Sequence, residues 1–152
     1  MTTFAELSPY VYGVGDDGWL NVGWLGAATQ FRTGSVDAAL LAKLARLMKD
    51  ERNVMRGWHD CEFCSAESPI YIRFDEDGQP FETTEIIPRW DLALGHGEVH
   101  VPGPDRVIFV APTLVLHFIL SHRYLPPDEF LAALALAPEP GEDMPKVDPR
   151  EL

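Results

Sequence analysis

Cys61 and Cys64 are the only cysteines in this chain, and they stand three apart with His59 two residues upstream of the first. A C-x2-C turn lets the backbone reverse, so that both sulfurs can face one ion, and the spacing looks like half of a zinc site. A second pair, His117 and His122, follows about fifty residues later in the strongly apolar segment Leu114-Val-Leu-His-Phe-Ile-Leu120 and just beyond it. If the two halves meet, they pin a C-terminal helix to a central loop and close a long stretch of chain on itself. Such a closure limits the freedom of the unfolded chain much as a crosslink does.

His59 is a fifth candidate. If residues 56–60 approach as an extended strand, His59 and Cys61 lie on the same side, because side chains alternate with a period of two. His117 and His122 raise a geometric difficulty, being five apart and therefore about 140° around an ideal helix. The expectation is that the helix loosens before it ends: Pro126 biases Leu125 away from helix, so His122 can swing back toward His117. The gap between cysteines and histidines is far from that of zinc fingers.

Two alternatives stay open beside the metal. The cysteines are reduced thiols and His117 a core histidine bonded to a carbonyl, or the pair is a redox-active dithiol. The second is disfavoured by Asp60 and Glu62, whose charge raises a thiol pKa. A c-type haem is excluded because no histidine directly follows Cys64. His96-Gly97-Glu98 supplies the H-x-E of zinc deaminases, but it follows the cysteines instead of preceding them, and no proline stands before Cys61. No serine-nucleophile motif, P-loop or dinucleotide fingerprint is present.

Size and charge bound the rest. With 152 residues, 46% of them hydrophobic, the chain can bury one sizeable core. The expectation is a single globular domain over residues 1–137, followed by a mobile, acidic, Pro-rich tail over 138–152. The apolar run from Val107 to Leu120 falls short of the roughly 20 residues that span a bilayer. The N-terminus lacks a basic region followed by an apolar one. Together these predict a cytoplasmic protein with no membrane association. The formal charge of -12 disfavours nucleic acid and anionic membranes as partners and favours a basic protein.

Patterning predicts an α+β fold: a mainly antiparallel sheet, one N-terminal amphipathic helix and two C-terminal helices. Tyr10–Val14 and Trp19–Leu25 read as strands of a hairpin around Asp16-Asp17-Gly18. Ser35 reads as a cap for a helix over about 36–51, with Asp37 in its first turn and Leu40, Leu41, Leu44, Leu47 and Met48 on one side. Lys43, Arg46, Lys49, Arg52 and Arg56 form a basic face, read as an ordinary solvated surface. Strands are expected at Ile70–Phe74, Thr83–Ile87, Trp90–Leu94, Glu98–Val101 and Arg106–Ala111. A buried helix beginning at Pro112 and stopped by Pro126-Pro127 should follow, then a short helix from Asp128 to about Leu136.

Three segments, Leu20-Asn-Val-Gly-Trp-Leu25, Met55-Arg-Gly-Trp-His-Asp-Cys-Glu-Phe-Cys64 and the long stretch Gly97-Glu-Val-His-Val-Pro-Gly103 followed by Ala111-Pro-Thr-Leu-Val-Leu-His-Phe-Ile-Leu-Ser-His-Arg-Tyr-Leu-Pro-Pro-Asp-Glu-Phe130, resemble a family of small uncharacterised bacterial proteins. The resemblance spans roughly residues 10–136. It implies no activity, but it places His59, Cys61, Cys64, His117 and His122 inside recognisable segments. The expectation that follows is a binding or interaction protein, regulatory or immunity-like, stabilised by one structural zinc. The alternative is a small zinc-dependent hydrolase that uses three of the five candidates and leaves a water in the fourth position.

Overall fold

A computed structural model describes residues 3–10, 18–50, 59–84 and 92–140. Among these described residues the architecture is α+β, with two three-stranded sheets and three α-helices. In the first sheet β6 (Ile108–Pro112) is the central strand, between β1 (Trp19–Asn21) and β5 (Glu98–Pro102). β5 and β6 are antiparallel with Glu98 opposite Pro112, whereas β1 lies parallel to β6 with Trp19 opposite Ile108. In the second sheet β2 (Ile70–Phe74) is central and antiparallel to both β3 (Pro80–Thr83) and β4 (Leu92–Leu94).

The N-terminal hairpin is only part of the pairing that β1 makes. Residues 7–10 do run beside β1, with Leu7 N–H on the Asn21 carbonyl at 2.7 Å and Tyr10 N–H on that of Trp19 at 2.8 Å. The other edge of β1, however, belongs to β6, almost ninety residues away in sequence. Local turn signals cannot disclose a parallel partner so distant. Residues 11–17, most of the expected first strand, lie outside the described residues, as do 85–91 and the chain from 141 onward.

The amphipathic helix α1 (Ala38–Leu47) starts two residues later than expected, because Asp37 and not Ser35 caps it: the Asp37 carboxylate accepts the Ala39 N–H at 2.8 Å. A 3-10 turn from Met48 to Asp50 extends it. Leu44, Leu47 and Met48 are buried, and α1 packs against both α3 (Asp128–Leu136) and β3. Its cationic side is occupied within the molecule. Lys43 Nζ donates to the last-turn carbonyl of Ala135 at 3.1 Å, Arg46 makes a two-bond pair with Glu139 at 2.8 and 3.0 Å, and Lys49 lies 4.6 Å above the Phe74 ring. The chain is thus held at Glu139, just past the expected domain boundary at 137.

Pro112 ends β6 and does not begin the next helix; α2 runs from Val115 to His122. Residues 115–119 are all buried, as an apolar helix in a core should be. The stop is not Pro126-Pro127 but Arg123, which turns left-handed at φ 55° while its N–H and that of Tyr124 both close on the Phe118 carbonyl. Tyr124 is fully buried and donates its hydroxyl to Glu6. Among the described residues no helix is long and apolar enough to cross a membrane.

Candidate metal centre

The cysteine loop is anchored at its base before it reaches the core. His59 N–H donates to the Gly95 carbonyl at 2.8 Å, and the Asp60 carboxylate accepts the Ser68 N–H at 2.7 Å, closing residues 60–68 into a compact loop. At the tip, Phe63 enters an aromatic cluster, its ring centroid 5.3 Å from Phe31, 5.8 Å from Phe118 and 5.5 Å from His122. That wedge sets the loop against α2. Glu62 turns aside from the thiols, one oxygen accepting the Ala27 N–H at 3.2 Å.

Four side chains then converge. The ligand atoms of Cys61, Cys64, His117 and His122 all lie within 4.8 Å of one another, close enough to hold a metal ion. Cys61 Sγ is 3.4 Å from His122 Nε2, and Cys64 Sγ is 3.4 Å from His117 Nε2. In a tetrahedron with bonds of about 2.3 Å to sulfur and 2.0–2.1 Å to nitrogen, the sulfur–nitrogen edge is about 3.6 Å. The observed contacts are close to that edge, so the cluster has the dimensions of a metal cage. His59 is not one of the four.

The helix does not loosen to achieve this. α2 stays helical through His122, and the two imidazoles meet with centroids 5.1 Å apart and planes at 80°. Each ring nitrogen stands several bonds from the backbone, so side-chain torsions close the angle that the Cβ directions leave open.

Glu82 supplies a residue that the sequence did not disclose. It stands on β3 opposite the fully buried Ile72, which places it on the inward side of that sheet. Its carboxylate accepts a hydrogen bond from His117 Nδ1, and Ser121 Oγ donates to it at 3.2 Å. A carboxylate on the outer nitrogen of an imidazole fixes the tautomer whose other nitrogen is free to ligate, and strengthens that nitrogen as a donor. On the loop side, Phe63 N–H donates to Cys61 Sγ at 3.3 Å, stabilising charge on sulfur.

The electrostatics separate the donors. Burial dominates at Cys61 and pushes its thiol up. At Cys64 burial works the same way, but a backbone hydrogen bond from Ala66 and the neighbouring His117 outweigh it and hold the thiol below its usual range. Burial works to lower His117, yet the Glu82 carboxylate and the Cys64 sulfur leave it raised. His122 is held down by burial and by the charge of His117. Without metal, the contact between Cys64 and His117 thus shifts the thiol down and the imidazole up.

The H-x-E segment lies elsewhere. Glu98 and His100 point to the opposite side of β5 from Val99 and Val101, away from the core that contains Cys61. There Tyr10 donates its hydroxyl to Glu98 at 3.0 Å, and His100 Nε2 lies 3.1 Å from the same carboxylate oxygen. His96 and Glu98 are not part of the cysteine cluster, so the deaminase constellation does not form.

These features define an α+β domain whose central loop and C-terminal helix converge on a two-cysteine, two-histidine donor set. The chain belongs to the family described as Domain of unknown function (DUF7919), whose model matches residues 2–135. No curated protein and no solved structure matches it.

Proposed function

We propose that this chain is a small binding or interaction domain held together by one structural zinc. The convergence of four thiol and imidazole donors within 4.8 Å of one another carries the reading. Two thiolates and two imidazoles suit zinc better than calcium or magnesium, which take oxygen donors. Four protein donors fill the tetrahedron and leave no position for the water that a zinc hydrolase activates, which favours structure over catalysis. Regulatory or immunity-like binding fits the small size, and the charge of -12 favours a basic protein partner over nucleic acid.

Elemental analysis of untagged protein, before and after dialysis against a chelator, tests the proposal. One zinc per chain, with cooperative unfolding shifted to lower temperature after removal, is the expected result. A metal-free protein of unchanged stability overturns it. Zinc that leaves without any loss of stability points to the hydrolase instead.

A further inference from the structure

The four donors differ in their access to solvent. Cys61 and His117 are buried and His122 is partly covered, but Cys64 is exposed, so one of the four donor residues is open to solvent. Its partner sulfur lies within 4.8 Å, on the same tight loop. We propose that the clasp is also a redox-gated one, in which a hydroperoxide oxidises Cys64 and Cys61 to a disulfide and releases the ion. The proposal rests on the zinc reading above and adds regulation to the same site.

The chemistry balances without a further reagent. The Cys64 thiolate attacks one peroxide oxygen, forming an S–O bond as the O–O bond breaks, and the departing hydroxide takes a proton from solvent. The Cys61 thiolate then attacks the Cys64 sulfur; the S–S bond forms, the S–O bond breaks, and a second hydroxide leaves as water. Two thiolates lose two electrons, hydrogen peroxide gains them, and two protons are consumed in making two waters. Only the two imidazoles remain as donors, and a neutral disulfide does not replace two thiolates at zinc.

Two features make the release reversible. Phe63 keeps the loop seated against Phe31 and Phe118 through ring contacts that involve neither sulfur. His117 keeps its hydrogen bond to Glu82, so half of the cage stays in place for the returning ion. Oxidation should therefore empty the site while leaving the loop seated and the fold standing.

Hydrogen peroxide titration of the zinc-loaded full chain, with a chromophoric chelator reporting zinc and intact mass reporting oxidation, decides the matter. The expected result is one zinc released per disulfide, with the mass lower by two hydrogens, and recovery of both thiols and zinc on adding dithiothreitol and zinc. Retention of zinc under peroxide that fully oxidises glutathione overturns the switch while leaving the structural zinc intact. Release accompanied by sulfinic acid at Cys64 and no disulfide also overturns it. A preparation that binds no zinc before peroxide is added overturns the zinc reading itself, and the switch with it.

Discussion

The carboxylate of Glu82 accepts a hydrogen bond from Nδ1 of His117, and that contact ties β3 to α2 directly behind the cysteine–histidine cluster. Glu82→Gln keeps the shape but removes the charge that fixes the imidazole. Its zinc affinity should fall about 10- to 100-fold, the usual effect of losing such an orienting partner. Competition with a chelator of known affinity measures the change, and an affinity equal to the parent would remove Glu82 from any role at the ion.

Cys64→Ser and His117→Ala each take one of four donors away. Because ligand binding and folding are coupled in a site of this kind, either variant should lose several kcal/mol, about 3 or more, in denaturant unfolding with zinc present. His59→Ala should retain one zinc per chain, since His59 lies outside the cluster. Zinc loss in that variant would return His59 to the donor set.

The pH dependence should have opposite sign with and without the ion. In the metal-free protein His117 is raised above its unfolded value of about 6.5. The stability it contributes is fully present below that pH and is lost as pH rises through the raised folded value. In the zinc-loaded protein, protons compete with the ion for thiolates and imidazoles, so binding strengthens as pH rises. The difference in melting temperature between the two forms should therefore widen from pH 6.5 upward. A constant difference would mean that His117 does not change protonation when zinc binds.

Gly23→Ala is expected to be severe. Gly23 adopts φ +76°, and a Cβ there would lie 2.5 Å from Cγ2 of Val115, a buried, β-branched side chain in the first turn of α2. Strain and overpacking together should cost about 2 kcal/mol or more. A melting temperature within a degree or so of the parent would show that the backbone at Gly23 and α2 are less closely packed than they stand here.

Arg46→Ala should be mild by comparison. The Arg46–Glu139 pair is roughly half exposed at both ends, and exposed pairs contribute about 0.2–1 kcal/mol. Glu139 is held below its usual range mainly by its hydrogen bond with Arg46. The contribution should therefore be present at neutral pH and disappear as pH falls through that lowered value. High salt should weaken it, and double-mutant analysis with Glu139→Gln reads the coupling.

Candidates for the cluster were legible in the sequence because cysteine and histidine are few in this chain. Type and spacing singled out Cys61, Cys64, His117 and His122 together with His59, and only the fold set His59 apart from the other four. Glu82 was not among them. One acid among many in a strand reads as a solvated side chain until the register sets it opposite Ile72. The helices followed from apolar periodicity, but their ends depended on single contacts: the Asp37 carboxylate on the Ala39 amide, and the left-handed turn at Arg123. The parallel pairing of β1 with β6 was hidden for a different reason. It is set by tertiary contact between segments with no local signal in common.

Among the described residues the two sheets share no strand, and no backbone ladder runs from one to the other. The cysteine loop leads directly into β2 of one sheet, whereas α2 emerges from β6 of the other. An ion gripped by both would thus act as a joint between two separately hydrogen-bonded halves. The two already share one buried core, so occupancy would add a second, switchable tie to it, and a surface that spans both would register the presence of metal without containing any of its ligands.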